Sequence, residues 1–293
     1  MTWSLMPLLL MVVITIVLRQ AAWWGLILHF RLFSKSTTAL NQILAREDVS
    51  DLGVRISTSF PGMTRILRAR LTPSRYIGLP LTLTVIAALY IAALLGGLVE
   101  ELMEADELVR LDENINQGLD TIRTDSVITV FSWITDLGGS AALIAVTLVT
   151  TGLLWAHHRR QIIASLWFTI LGSQVTTYAG KYLFARQRPE FVTDIGAFTP
   201  SFPSGHATSA MALYGFIAYV IASDLMTRRQ RFEVVYWAAV LIILIGFSRM
   251  LLGLHYASDI AAGFLVGGFW LLLGLALAEN NRHQQHQQPC GCN

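Results

Sequence analysis

The stretch FPSGHATSAMALYGFIAYVIA runs from Phe202 to Ala222. From Ala207 onward it is apolar enough to cross a bilayer. It opens, however, on Pro203-Ser204-Gly205-His206, four residues that help neither a membrane span nor a packed core. A spanning helix needs about 20 apolar residues, and six segments qualify: 77–99, 138–156, 161–179, 204–223, 233–249 and 256–278. A further stretch, 3–29, is interrupted by Arg19 and Gln20. It has no positively charged start and no small-residue cleavage site, so it reads as a signal anchor or an extra span, not a cleaved signal peptide. The composition agrees, with 54% hydrophobic and 14% charged residues, where soluble domains carry about 25% charged. The expected fold class is an all-α polytopic membrane protein. A six-helix core over 77–278 follows an N-terminal membrane helix over 1–30.

Charge asymmetry sets the orientation. Threading the spans places 14 Lys/Arg in 31–75, 157–160, 224–232 and 279–293, which makes that side cytoplasmic. The opposite side holds six: Arg110, Arg123, Lys181, Arg186, Arg188 and Arg249. Most of these crowd into membrane-proximal loops against the positive-inside rule, and anion binding is one reason for such an exception. A net charge of +2 is too small to suggest a nucleic-acid partner. The two cysteines, Cys290 and Cys292, stand in the last four residues and form no disulfide framework.

Between the spans, residues 31–76 are polar and basic. Leu40, Ile43 and Leu44, then Val54 and Ile56, fit short amphipathic helices on the cytoplasmic membrane surface or a solvated linker. Residues 100–125 are acidic, and Leu111, Ile115, Leu119 and Ile122 recur at helical spacing. They fit an amphipathic helix that serves as a lid, a lipid-facing shelf or plain packing. The tail, 279–293, carries His283, His286, Cys290 and Cys292. These are metal-ligand types at no standard spacing, and the tail is expected to be disordered. No metal or other cofactor is expected.

Three clusters carry chemistry, and all fall on the outer face. Lys181, Arg186 and Arg188 lie within eight residues at the end of one span, followed by Pro189. Cations there favour a helix C-terminus, and they also suit phosphate oxygens, Arg as a planar fork and Lys as a point charge. Ser204 is a good N-cap, and Gly205 admits close approach to the backbone. The free N–H groups of the helix beginning there make an anion site, and His206 in its first turn could donate a proton. The third cluster is Ser248 to Asp259. His255 and Asp259 are four apart and share a helix face. A carboxylate on one imidazole nitrogen leaves the other as nucleophile or base, though such a pair also occurs as a buried hydrogen bond. Arg249, with Gly253 to bend the connection, could reach the same anion.

Lys181-x6-Arg188-Pro189, Pro203-Ser204-Gly205-His206 and Ser248-Arg249-x5-His255-x3-Asp259 together resemble the tripartite motif of the type 2 phosphatidic acid phosphatase (PAP2) family. Arg186 fits a common form of the first motif. The resemblance covers 77–278. It implies a helical membrane fold and a metal-independent phosphotransfer at the outer leaflet. It also implies a role for each matching residue. His255 is the nucleophile that forms a phosphohistidine, Asp259 orients it, and His206 protonates the leaving oxygen. Lys181, Arg188, Ser204, Gly205 and Arg249 hold the phosphate. The expected protein is a lipid phosphatase of the cell (inner) membrane with an extracytoplasmic site, its partners the bilayer and a phosphorylated lipid. Candidate lipids are phosphatidate, phosphatidylglycerol phosphate and a polyprenyl diphosphate. Alternatives are a lipid phosphotransferase with a polyprenyl diphosphate donor, or a non-catalytic transporter or scaffold.

Overall fold

The structure, a computed structural model, describes residues 6–44, 61–62, 64, 79–104, 106–189 and 199–287. The chain divides into two units, Leu9–Leu83 and a larger one made of Thr84–Asn293 with Met1–Leu8. The first holds α1 (Met6–Leu44) from Leu9 onward, and its part Leu8–Phe30 is long and apolar enough to span a membrane. The helix continues to Leu44, so the start of the expected cytoplasmic segment is helical. Val54 and Ile56 lie outside the described residues.

The larger unit carries all three clusters. Its elements are α2 (Leu79–Glu104), α3 (Asp106–Leu119) with a 3-10 turn at Asp120–Ile122, α4 (Asp125–Asp136) and α5 (Ser140–Ala156). They are followed by α6 (Arg160–Phe184), α7 (Gly205–Asp224), α8 (Arg228–Leu251) and α9 (Ala257–Gln287). Among the described residues α1, α2, α6, α7, α8 and α9 are each long and apolar enough to cross, and α4 with α5, bent by 43°, passes the same test only as a pair, as a broken span or a re-entrant loop. This bent pair differs from the single span expected over 138–156. Four apolar residues before the break, Val127, Ile128, Val130 and Phe131, extend the membrane-compatible stretch back to Asp125. At the break, a Cβ on Gly138 would lie 2.5 Å from Ile245 and 3.3 Å from His206, so only glycine lets the chain turn there.

The core runs between α5, α6, α7 and α9 through Leu143, Ile162, Leu166, Leu213, Phe216 and Ala278. In a membrane, helices associate by close contact of small residues because lipid is as apolar as leucine. Here α9 lies against α7 so closely that a Cβ on Gly263 would stand 2.6 Å from the Ser204 carbonyl oxygen. That contact sets the start of α7 directly beside the start of α9.

Two sequence expectations read differently in three dimensions. Residues 279–287, expected in a disordered tail, are helical as the end of α9, and 288–293 lie outside the described residues. In α3 and the turn after it Ile115, Leu119 and Ile122 are half-buried as the stripe predicts, but Leu111 is 52% exposed and Asp112, at 2%, takes the inward position beside them. The carboxylate goes inward because it meets charged and hydrogen-bonding partners there.

Candidate active site

Four helix ends meet at one end of the bundle. Ala185 adopts a left-handed conformation (φ 45°) and closes α6, which turns Arg186 and Arg188 away from the helix axis. Ser204 precedes α7, α8 ends two residues after Arg249, and His255 stands two residues before α9. The backbone ties these ends together. Ser204 N–H donates to the Asp259 carbonyl at 3.0 Å, and Leu254 and His255 N–H both donate to the Arg249 carbonyl at 3.0 and 3.2 Å. Gly253, at φ 68°, makes the sharp turn between α8 and His255.

The segment Thr199–Ser201 acts as a rail of acceptors for the cations. Lys181 Nζ donates to the Pro200 carbonyl at 2.5 Å, and Arg188 Nε donates to the Thr199 carbonyl at 2.9 Å. Arg188 Nη1 also donates to the Leu254 carbonyl at 2.7 Å and lies 3.3 Å from His255 Nε2. Arg249, buried at the end of α8, donates from Nη1 to Thr135 Oγ1 at 3.1 Å. Its Nε is buried without a hydrogen-bond partner.

His255 is 2% exposed and Asp259 is fully buried. Their closest approach, Nδ1 to Oδ2, is 3.4 Å. Ser201 fills the gap: its hydroxyl lies 3.2 Å from His255 Nδ1 and donates to Asp259 Oδ2. Asp259 also accepts from Tyr256 N–H at 2.9 Å and from Arg186 at 2.7 Å. The tautomer follows from donor chemistry. Arginine has donors only, so the Arg188 contact at Nε2 assigns the lone pair to that nitrogen and the proton to Nδ1. Burial, partly offset by the hydrogen bond and charge of Asp259, pushes the His255 imidazole down to about 4. At neutral pH the ring is therefore uncharged, with its lone pair on the nitrogen that faces Arg188. Burial likewise pushes the Arg188 guanidinium below its ordinary value, with Asp259 acting in the opposite sense.

Ser204 stands at the N-cap position of α7, but its side chain makes no capping bond, and its Oγ is buried without a partner. An unpaired buried hydroxyl costs free energy of about 1–3 kcal/mol, so this atom is poised for an external acceptor. Gly205 begins the helix and leaves its first N–H groups open to close approach. His206 follows, its ring walled by the α4–α5 break, where a Cβ on Gly139 would lie 3.7 Å from Nε2.

The structure thus gathers Lys181, Arg188, Ser204, Gly205, His206, Arg249, His255 and Asp259 at one end of the bundle. It adds residues that sequence reasoning missed: Ser201, Thr199, Thr135 and Asp112. None stands out in the chain, although the buried position of Asp112 in an otherwise amphipathic helix was the one local irregularity. Among the described residues no group of three His, Cys, Asp or Glu side chains is placed to hold a metal ion. The arrangement offers a neutral imidazole lone pair, a second imidazole, buried cations and free donors around one small volume. That combination suits transfer of a phosphoryl group.

An apolar groove lies beside this volume. Ile91, Leu95, Val99, Phe184 and Trp270 line a cavity of about 380 Å³ whose walls include Phe202 and Pro203, next to Ser204 in the chain.

Comparison with known proteins agrees with this geometry. The family model of the PAP2 superfamily matches residues 162–283. The chain is 31% identical over 158 residues to phosphatidylglycerophosphatase B of Bacillus subtilis, covering 53% of this chain and 77% of that protein. It is 32% identical over 120 residues to a lipid A 1-phosphatase of Rhizobium etli, covering 38% of this chain and 47% of that one. The fold is shared with the crystal structure of a transmembrane PAP2-type phosphatidylglycerolphosphate phosphatase from Bacillus subtilis. The TM-score is 0.55 at 23% identity, over 72% of this chain and 98% of that one. By this relationship, and with six helices among the described residues long and apolar enough to cross a membrane, the chain belongs to the PAP2 superfamily, among its membrane lipid phosphatases.

Proposed function

We propose that the chain hydrolyses a terminal phosphate from a membrane lipid, through a phosphohistidine on His255, at the extracytoplasmic face of the cell membrane. The observation that carries this reading is the setting of His255. Its Nδ1 is engaged by Ser201 and Asp259, while its Nε2 lone pair faces Arg188.

In the first step Nε2 attacks phosphorus. A P–N bond forms and the bond to the lipid oxygen breaks. His206 supplies the proton that the departing oxygen takes up. The proton on Nδ1 stays between the ring, Ser201 and Asp259, whose charge stabilises the cationic phosphoimidazole. Lys181, Arg188, Arg249, the Ser204 hydroxyl and the first N–H groups of α7 meet the equatorial oxygens. Donors fixed in a dry site stabilise that charge without reorganising. In the second step His206 takes a proton from water, the hydroxide attacks phosphorus, the P–N bond breaks and phosphate leaves. Positive charge comes from side chains in both steps, so turnover is expected to persist in EDTA.

The apolar groove supports a lipid substrate: its wall at Phe202–Pro203 would bring an acyl or prenyl chain alongside the phosphate site. The excess of Lys/Arg on the opposite loops supports the extracytoplasmic placement. Phosphatidylglycerol phosphate heads the candidate list because a relative of wide coverage is a phosphatidylglycerophosphatase; phosphatidate and undecaprenyl diphosphate follow.

The test is inorganic phosphate release by the detergent-purified protein from each of these lipids, with EDTA and no acceptor lipid present. Release from one or more supports hydrolysis. Phosphate that appears only on a second added lipid would make the protein a phosphotransferase, and none from any lipid would sink the reading.

A further inference from the structure

α3 lies outside the segment matched by the family model, and its Asp112 has no part in the mechanism above. A carboxylate buried to 2% exposure needs partners, and those of Asp112 are all elements of the site. Oδ1 accepts from the Ser258 backbone N–H at 3.0 Å, in the first turn of α9. Oδ2 accepts from the Ser258 hydroxyl and from Arg186 Nη2, the latter at 2.8 Å. Arg186 in turn donates from Nη1 to Asp259 Oδ1 at 2.7 Å and to Ser258 Oγ at 2.7 Å, and its guanidinium lies 4.4 Å from the centre of the Tyr256 ring. Although burial works against its charge, Asp259 and Asp112 raise the Arg186 guanidinium above its ordinary value.

The far end of α3 holds the other side of the same loop. Arg123, which follows the 3-10 turn, donates to the Leu251 carbonyl at 2.7 Å and to the Met250 carbonyl at 3.0 Å, and it is braced by Asn116 Oδ1 at 2.6 Å. Residues 250–258, which include His255, are therefore gripped at both ends by α3 and the turn that follows it.

We infer that Asp112 is a positioning residue for the nucleophile. Paired with Arg186, it fixes the carboxylate of Asp259 and the start of α9, and so holds His255 Nε2 on line with the phosphate. Without Asp112 the Arg186 fork would be held on one side only, and the Ser258 N–H and hydroxyl would lose their acceptor. The bridge, one guanidinium N–H to each carboxylate, needs the planar fork of arginine. The extramembrane helix is by this account part of the catalytic apparatus.

The inference rests on His255 being the nucleophile, and the two fail differently. Wild-type turnover in His255→Ala would overturn the mechanism itself. Asp112 is tested by steady-state kinetics on dioctanoyl phosphatidate in detergent, with thermal midpoint and gel-filtration profile recorded for each variant. Substitution of residues that orient a reacting group typically costs about 10–100-fold. Asp112→Asn and Arg186→Gln are each expected to lower kcat by that factor, with KM within about threefold of wild type. The double variant is expected to be no slower than the worse single one, since both act through one network. Asp112→Glu is expected to recover part of the loss. Independent, multiplying losses in the double variant would overturn the inference, as would an Asp112→Asn protein with wild-type kcat. Should Asp112→Asn not fold, Arg186→Lys keeps the charge but not the fork; a folded Arg186→Lys protein with wild-type kcat would equally overturn it.

Discussion

The Ser201 hydroxyl stands 3.2 Å from His255 Nδ1 and donates to the Asp259 carboxylate, which itself comes no nearer to that nitrogen than 3.4 Å. The histidine and aspartate of the third motif are thus joined through a residue that precedes the second. Ser201→Ala is expected to lower kcat by about 10–100-fold with KM little changed, because it loosens the ring without touching the phosphate donors. Wild-type kcat in Ser201→Ala would show that the direct contact is enough.

The acid limb of kcat/KM reports the nucleophile in the free enzyme. His255 must be neutral to react, and its value lies near 4, below the ordinary 6.5. Activity is therefore expected to stay level as pH falls through the usual histidine range and to drop only near pH 4. Asp259 raises the value of His255, by hydrogen bond and charge, against burial and the Arg249 and Arg188 charges. Asp259→Asn is expected to move the limb to still lower pH while kcat itself falls. A limb near 6.5 in the wild-type protein would contradict the burial argument. The measurement is a pH series of kcat/KM in a soluble short-chain substrate.

His206 is expected to serve the leaving group, and general acid catalysis contributes about 10²–10⁴-fold. His206→Ala should lose about that much on a lipid phosphate, whereas the first-turnover burst of nitrophenolate from p-nitrophenyl phosphate should be far less affected, because that phenolate needs no proton and His206 acts there only in the second step. A burst slowed as much as lipid turnover would assign His206 to phosphate binding instead.

Gly263 holds α9 against the start of α7, where a Cβ would press to 2.6 Å from the Ser204 carbonyl oxygen and 2.8 Å from Ala207. Backbone cannot yield as a flexible side chain does, so Gly263→Ala is expected to destabilise by about 1–3 kcal/mol. It should also lower activity by displacing the N-terminus of α7. Thermal unfolding in detergent checks the first and phosphate release the second; an unchanged midpoint would refute the packing argument.

Gly96 lines the apolar groove, and a Cβ there would meet open space. Gly96→Trp is therefore expected to fold and to occupy the groove. Each buried methylene is worth about 0.8 kcal/mol, so excluding two of them raises KM for a long-chain lipid roughly tenfold. KM for a dibutanoyl analogue is expected to stay as in wild type. Parallel changes for both substrates would place the chain elsewhere.

Much of this was legible in the chain. Membrane spans announce themselves because about 20 apolar residues in a row have few other uses, and the motif residues lie at span ends where charge is costly. Local spacing also brought His255 and Asp259 together, although His255 lies in the turn before α9 and not on a shared helix face as expected. What spacing could not convey is that α4 and α5 reach membrane-crossing length only as one bent pair, whose break at Gly138 is packed against Ile245 and His206, distant in sequence.

The linear order of residues determined a helical membrane protein and the side chains that gather at one of its faces, because hydropathy and helical period are properties of neighbours. Tertiary structure decided how those side chains are held. Asp112 reaches Ser258 across 146 positions and Arg186 across 74, and Ser201 reaches His255 across 54. A buried polar group takes whatever partner the packing of helices brings to it, and no periodicity along the chain encodes which helix end that will be.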